Sequence, residues 1–269
     1  MVRQIIDTTT DHGAYKGDPA KLAFDKSNAN FEELYALMLG LASVGGDNML
    51  INCGLPINHR GFVGGALAAG AYGYDRWKAG AGGCNVSINA ATGVYTHTSG
   101  PLQQVVESPQ MAWGLPLTIS VENPSGSIAV SVGGASGTIS AGSGRRGVTL
   151  TPTGSGNMIV QLTASGVTYS RPKLERGSSS TAFEPRPVGA ELMLCYRFYE
   201  PLAFIATSDG AFFKNVLYKV PKRAVPALTV VSGSIAPATL NARGSTLFFT
   251  MDGGSSASGQ VTVVADSEL

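Results

Sequence analysis

Asn48 to Trp77 reads NMLINCGLPINHRGFVGGALAAGAYGYDRW. Met49 to Ile51 form a short apolar run, which predicts a strand. A turn with Gly54 and Pro56 follows, then the polar run Asn58-His59-Arg60, a glycine-rich loop, and Tyr74-Asp75-Arg76-Trp77. A second stretch answers it downstream: Tyr169 to Gly177, closing with Thr181-Ala182-Phe183-Glu184-Pro185-Arg186. The two are expected to be the opening and closing strands of one β-sandwich.

Between them the chain reads as strands broken by Gly, Ser, Asn and Pro. Val86–Ile88, Leu102–Val106, Leu117–Val121, Ile128–Val132, Val148–Thr151, Met158–Leu162 and Val167–Ser170 are the clearest. Leu117, Ile119 and Val121 alternate with Thr118 and Ser120, the period of a strand with one apolar face. Such spacing without helical pattern argues for a sandwich or barrel. Gly133 to Gly147, rich in Gly and Ser and carrying Arg145-Arg146, is expected to be a mobile hairpin end.

Composition agrees with a turn-rich β protein. Charged residues are 14% of the 269, against ~25% in ordinary globular chains. Glycine counts 35, well above its usual ~7% share. The net charge of +1 supplies no electrostatic footprint for nucleic acid. Seven of the 18 acids lie in the first 47 residues, which argues for a separate N-terminal unit. Met1 to Thr10 carries Arg3 and Asp7 and lacks the apolar core of a secretory leader. No run reaches the ~18 apolar residues of a membrane span. Cys53, Cys84 and Cys195 lack metal-ligand spacing and are expected to be buried free thiols.

Val2 to Ile6 is a short β-like run. Asp18-Pro19 then marks a helix start. From Lys21 to Ala42 the apolar residues Phe24, Phe31, Leu34, Met38 and Leu41 hold a and d positions of a heptad pattern, with Ser27 the polar exception. So short a stripe needs other copies of itself or a host protein to bury it. The opposing reading is an ordinary amphipathic helix packed on its own domain.

Pro185-Arg186-Pro187 is a stiff join, taken as a domain boundary. Beyond it, Glu191 to Phe204 is dense in Leu, Met, Tyr and Phe. It predicts a strand with Leu192, Leu194, Tyr196 and Phe198 on one face and Met193, Cys195 and Tyr199 on the other, covered on both sides. Further strands are expected at Phe212–Tyr218, Leu228–Val231, Ser245–Met251 and Gln260–Ala265.

The first two stretches together resemble the jelly-roll, carbohydrate-binding-like module of bacteriophage tail fibres, which opens with INGxFxINQRG and YxxDRW and closes with LExGxxATxFExR. The chain departs from that pattern at Cys53, Leu55 and Pro56. Residues 15 to 36, with Asn28, Asn30, Phe31 and Tyr35, resemble the tail-attachment segment of such fibres. Glu191 to Glu200 and Val220 to Val230 resemble their C-terminal tip.

The resemblance implies a mainly β homotrimer: an N-terminal attachment segment and coiled-coil-like helix over 1–47, a jelly-roll sandwich over 48–187, and a β-sandwich tip over 188–269. It implies a virion protein made in the host cytoplasm. Its N-terminus would meet tail or baseplate proteins, and its body would bind a bacterial surface glycan or other receptor without catalysis, cofactor, nucleic acid or membrane insertion. The alternatives are a polysaccharide depolymerase and a purely structural fibre or adaptor.

Candidate residues follow from chemistry. His12, His59 and His97 stand in unrelated contexts, and no hydrolase or nucleotide motif appears. No catalytic residue and no metal ligand is assigned. Asp75 and Glu175 read as structural hydrogen-bonding acids, tied to arginines such as Arg76 or Arg171, with a structural Ca²⁺ as the alternative. Sugar rings stack on aromatic faces, which nominates Tyr72, Tyr95, Trp113 and Tyr169 in the sandwich. Phe212, Phe213, Lys214 and Arg223 are nominated in the tip. Trp77 reads as core. The trimer interface is assigned to Phe24, Phe31, Leu34, Met38, Leu41, Leu194, Tyr196 and Phe198.

Overall fold

The computed structural model describes residues 6–42, 47–208, 212–233, 239–253 and 257–269. The run Val2 to Ile6 lies outside them except for Ile6. The protein is mainly β: the described residues hold 41% strand, two helices and several antiparallel sheets forming sandwich-like domains. The chain divides into two compact units, residues 1–46 and 47–269.

The first unit carries helix α1, Ala20–Ala42. Its first turn opens on the Pro19 carbonyl, which accepts the Ala23 amide at 3.0 Å. Proline suits this end because its missing N–H would be an unpaired helix donor anyway. Asp18 does not cap the helix. Its carboxylate accepts the Asp7 amide and the Lys26 ammonium at 2.8 and 2.6 Å.

The second unit begins with a sandwich. One sheet has the order β1 (Gly65–Leu67), β3 (Cys84–Ile88), β4 (Val94–Ser99), β11 (Val167–Arg176), β6 (Leu117–Glu122) and β9 (Arg145–Leu150). The other has the order β2 (Lys78–Ala79), β5 (Pro101–Val106), β10 (Met158–Thr163), β7 (Ile128–Val132) and β8 (Ala135–Ile139). All ladders are antiparallel. The core lies between the sheets, with Leu117, Ile119 and Val121 facing Ile128, Val132, Val160 and Leu162. Thr118 and Ser120, on the outer face of β6, are also buried. The segment 178–186 crosses that face: Thr149 Oγ1 donates to the Ser178 carbonyl, and Lys173 reaches Thr181 and the Ala182 carbonyl. The stretch 133–147, expected to be a hairpin end, carries β8 and the start of β9. β8 pairs residue for residue with β7, so its Gly and Ser content does not prevent a regular ladder.

Met49 to Ile51 form no strand. The opening stretch is a polar knot around Asn52, which adopts φ 62°. Asparagine tolerates this conformation better than most residues. Its side chain accepts the Ile57 amide at 2.7 Å and donates to the Ile57 and Asp75 carbonyls. Its carbonyl accepts the Trp77 indole at 2.9 Å and the Tyr95 hydroxyl at 3.3 Å.

After Pro187 the chain forms α2, Val188–Tyr196, and then β12, Tyr199–Ser208. This corrects the first part of the strand expected over 191–204: residues 191–196 are helical, and residues 199–204 are strand as expected. Ala, Glu, Leu and Met in succession favour helix, and a continuous apolar run suits either period. Two three-stranded sheets complete the unit: β12, β17 (Ala257–Asp266) and β14 (Ala227–Gly233), and β13 (Phe212–Leu217), β16 (Phe248–Gly253) and β15 (Thr239–Asn241). Leu202, Tyr218, Phe249, Val261, Val263 and Ala265 form their shared core.

Candidate binding site

The motif residues of the opening stretch converge on the seam between the sandwich and the C-terminal strands. Asp75 is buried and accepts from His59, Nδ1 to Oδ2 at 2.5 Å, and from the His59 amide at 3.0 Å. Its partner is therefore His59 and not Arg76. The His59 ring stacks on Tyr196 with centroids 4.9 Å apart. Arg76 lies 3.4 Å over the Phe198 ring, donates to the Val105 carbonyl at 2.6 Å, and pairs with Glu268. Arg60 lies over Tyr199 at 3.6 Å and Tyr72 at 4.9 Å. Cations stacked on aromatic faces gain from the ring quadrupole, more so where water is excluded.

These contacts relocate several expected residues. Tyr196 and Phe198, assigned to a trimer interface, are buried within one chain against His59 and Arg76. Leu194 is half-buried and lines a cavity described below. Tyr72 donates its hydroxyl to the Leu269 carbonyl at 2.5 Å, and burial raises its pKa to about 12. Arg223 donates to the Ser267 and Glu268 carbonyls and so ties down the last strand's exit. Tyr95 is 0% exposed, stacked on Tyr169 at 5.1 Å with Trp77 edge-on at 6.0 Å, and presents no face to a ligand. Trp113 is half-buried; its indole donates to the Gly156 carbonyl at 3.0 Å. Phe212, Phe213 and Lys214 stand on β13 opposite Gly253, Asp252 and Met251, with side chains outside the described residues.

Glu175 is fully buried and pairs with Lys173 at 3.0 Å, not with Arg171, and it accepts from Thr181. Arg171 instead donates to Glu122 at 2.7 Å. No metal-ligating cluster of three His, Cys, Asp or Glu occurs among the described residues. Cys53, Cys84 and Cys195 are buried and unpaired, and burial raises their thiol pKa values. On α1, Phe24 and Phe31 are 70% and 59% exposed and Leu34 is exposed as well. Met38 and Leu41 continue the stripe, with side chains outside the described residues. No helix among the described residues is long and apolar enough to cross a membrane.

Two cavities open beside the seam. The larger, about 300 Å³, is walled by Cys53, Leu55, Pro56, Phe183, Pro185 and Val188. At its edge Arg186 is committed to Glu191 at 2.9 Å and to the Leu50 and Asn48 carbonyls. The smaller, about 190 Å³, lies between β5, α2 and Arg76. Sequence reasoning missed both, because their walls come from segments more than a hundred residues apart.

No family model, curated protein or solved structure matches the chain.

Proposed function

We propose that this chain is a tail-fibre receptor-binding protein of a bacteriophage, a homotrimer that attaches to the tail through its N-terminal segment and binds a bacterial surface glycan or other receptor without breaking bonds. The sandwich is read as a jelly roll and the sheets beyond α2 as the tip. The observation that carries the reading is the apolar stripe of α1. Phe24, Phe31 and Leu34 stand at heptad spacing with their side chains in solvent. Exposed aromatic side chains in register are what a helix bundle buries. Three weak sites on one bundle would gain avidity at a cell surface.

Tyr196 and Phe198 are buried within the chain, so assembly in this reading rests on α1. The test is native mass spectrometry of the full chain at micromolar concentration, together with binding of the labelled protein to a panel of bacterial strains. A threefold mass and saturable binding to some strains are expected. A monomer, or binding to none, overturns the reading.

A further inference from the structure

We infer that the smaller seam cavity is a binding site for one neutral, polyhydroxylated ring, such as a single sugar unit. Its walls combine an apolar side with a small polar set. Met49, Ile51, Val106 and Leu194 form the apolar side, while Arg76, Glu107 and Arg197 supply the polar groups. Gln104 also lines it, but both ends of its amide are spent on the Ile51 backbone at 2.6 and 2.8 Å.

Three observations point to a ligand and to its chemistry. The first is an orphan donor. Arg76 is 1% exposed, and its Nε–H has no acceptor. Buried donors are ordinarily paired, and a charged one left unpaired is costly. The second is the rim. Arg197 directs both Nε and a terminal nitrogen to one oxygen of Glu107, Oε2, at 3.2 and 2.9 Å. Glu107 Oε1 has no partner among the described residues and remains available as an acceptor. The rim therefore offers the Arg197 donors and a strong acceptor side by side, the set that recognises hydroxyl groups, each of which both donates and accepts.

The third is charge and size. Arg76 is neutralised by Glu268 and Arg197 by Glu107. An anion would find no uncompensated cation, and a cation no uncompensated carboxylate. The volume of about 190 Å³ far exceeds the ~30 Å³ share of one water and falls below the ~300 Å³ floor of drug-sized pockets. One ring with its C–H face on Val106 and Leu194 matches that space.

The assignment takes only the source of the sugar from the receptor-binding reading; the cavity's chemistry stands without it. The experiment is saturation-transfer NMR of the full chain with a panel of free hexoses, 6-deoxyhexoses and N-acetylhexosamines, with sodium acetate and inorganic phosphate as anion controls. Dissociation constants of about 1 mM are expected for a ligand of this size. Glu107→Gln and Arg197→Met both sit at the partly exposed rim, and each is expected to weaken binding by about tenfold with the melting temperature unchanged. Val106→Phe fills the cavity and is expected to abolish the signal.

Saturation transfer from no sugar, equal binding by all three folded variants, or preference for the anions would overturn the assignment, the first leaving the cavity a place for water only. Adsorption to bacteria is scored separately. Adsorbing protein whose sugar signal is absent refutes the cavity and leaves the receptor reading standing. A sugar signal lost in the rim variants, in protein that adsorbs to no strain, supports the cavity and refutes the reading.

Discussion

Arg76 and Glu268 stand 192 residues apart and pair across the seam, the guanidinium donating to the carboxylate while it lies on the Phe198 ring. Burial raises the Glu268 pKa, and Arg76 and Arg60 oppose that rise. The pair joins the Tyr-Gly-Tyr-Asp-Arg-Trp turn to the exit of the last strand, so the turn serves as a socket for the C-terminal sheets. Removing one partner leaves the other charge buried. Arg76→Ala is therefore expected to destabilise the chain by about 3–5 kcal/mol, whereas an Arg76→Met, Glu268→Leu double variant falls far closer to the native value. Urea unfolding followed by circular dichroism checks both, and equal losses in the single and double variants would refute the account.

His97 gives a pH dependence with a definite sign. It is buried on β4, with Nε2 donating to the Gly100 carbonyl at 2.7 Å and Nδ1 at 3.1 Å from the Tyr169 hydroxyl. Burial lowers its pKa from 6.5, although the bond to Gly100 works the other way. The unfolded chain thus binds a proton at a higher pH than the folded one. Stability is retained above 6.5 and declines as pH falls from there through the lowered folded value. His97→Gln keeps a donor and an acceptor but does not titrate. Its stability-against-pH curve is expected to be flatter than the wild type's over that window, as read by thermal melts in matched ionic strength.

Much of the sandwich was legible because its strands keep period two and are bounded by turn residues. Leu117, Ile119 and Val121 point inward as their alternation required. Three features were not legible, each for a physical reason. Val188 to Tyr196 carries apolar residues at positions that suit either period, and helix propensity prevailed. Tyr95 looks like a surface aromatic beside Thr96 and Thr98, yet β4 turns it towards Tyr169 and Trp77 in the core. The seam ion pair and both cavities depend on which distant segments meet, information that local pattern does not hold. Of the expected contact residues, Arg223 and Tyr72 proved to be anchors for residues 267–269, and neither position signals this in sequence.

Trp113 is held over a glycine that no other residue replaces without strain. Gly133 has φ +53°, and a Cβ there would stand 2.5 Å from Trp113 Cζ3 and 2.9 Å from Pro152 Cβ. Its neighbour Gly134 has φ +89° but open space around the added atom. Gly134→Ala is expected to cost about 1–2 kcal/mol from backbone conformation alone. Gly133→Ala adds overpacking of about 1–3 kcal/mol and displaces the indole. A larger drop in melting temperature and a red-shifted tryptophan emission for Gly133→Ala alone would establish the difference. Matching behaviour of the two variants would refute it.

The α1 stripe yields the prediction on which assembly turns. Phe24, Phe31 and Leu34 are exposed within one chain, and burying each fully would contribute about 1.5–3 kcal/mol per side chain. In a three-copy bundle every stripe is buried at once, so their loss acts on association and not on the β body, whose core is built from residues 50–265. A Phe24→Ser, Phe31→Ser, Leu34→Ser variant is therefore expected to sediment as a monomer. Its near-ultraviolet circular dichroism should remain unchanged. The wild type should show a concentration-dependent mass that reaches three chains. If the variant keeps the wild-type mass, α1 does not assemble the protein. If it unfolds the β body, the stripe is covered within its own chain, and the heptad spacing describes an ordinary amphipathic helix.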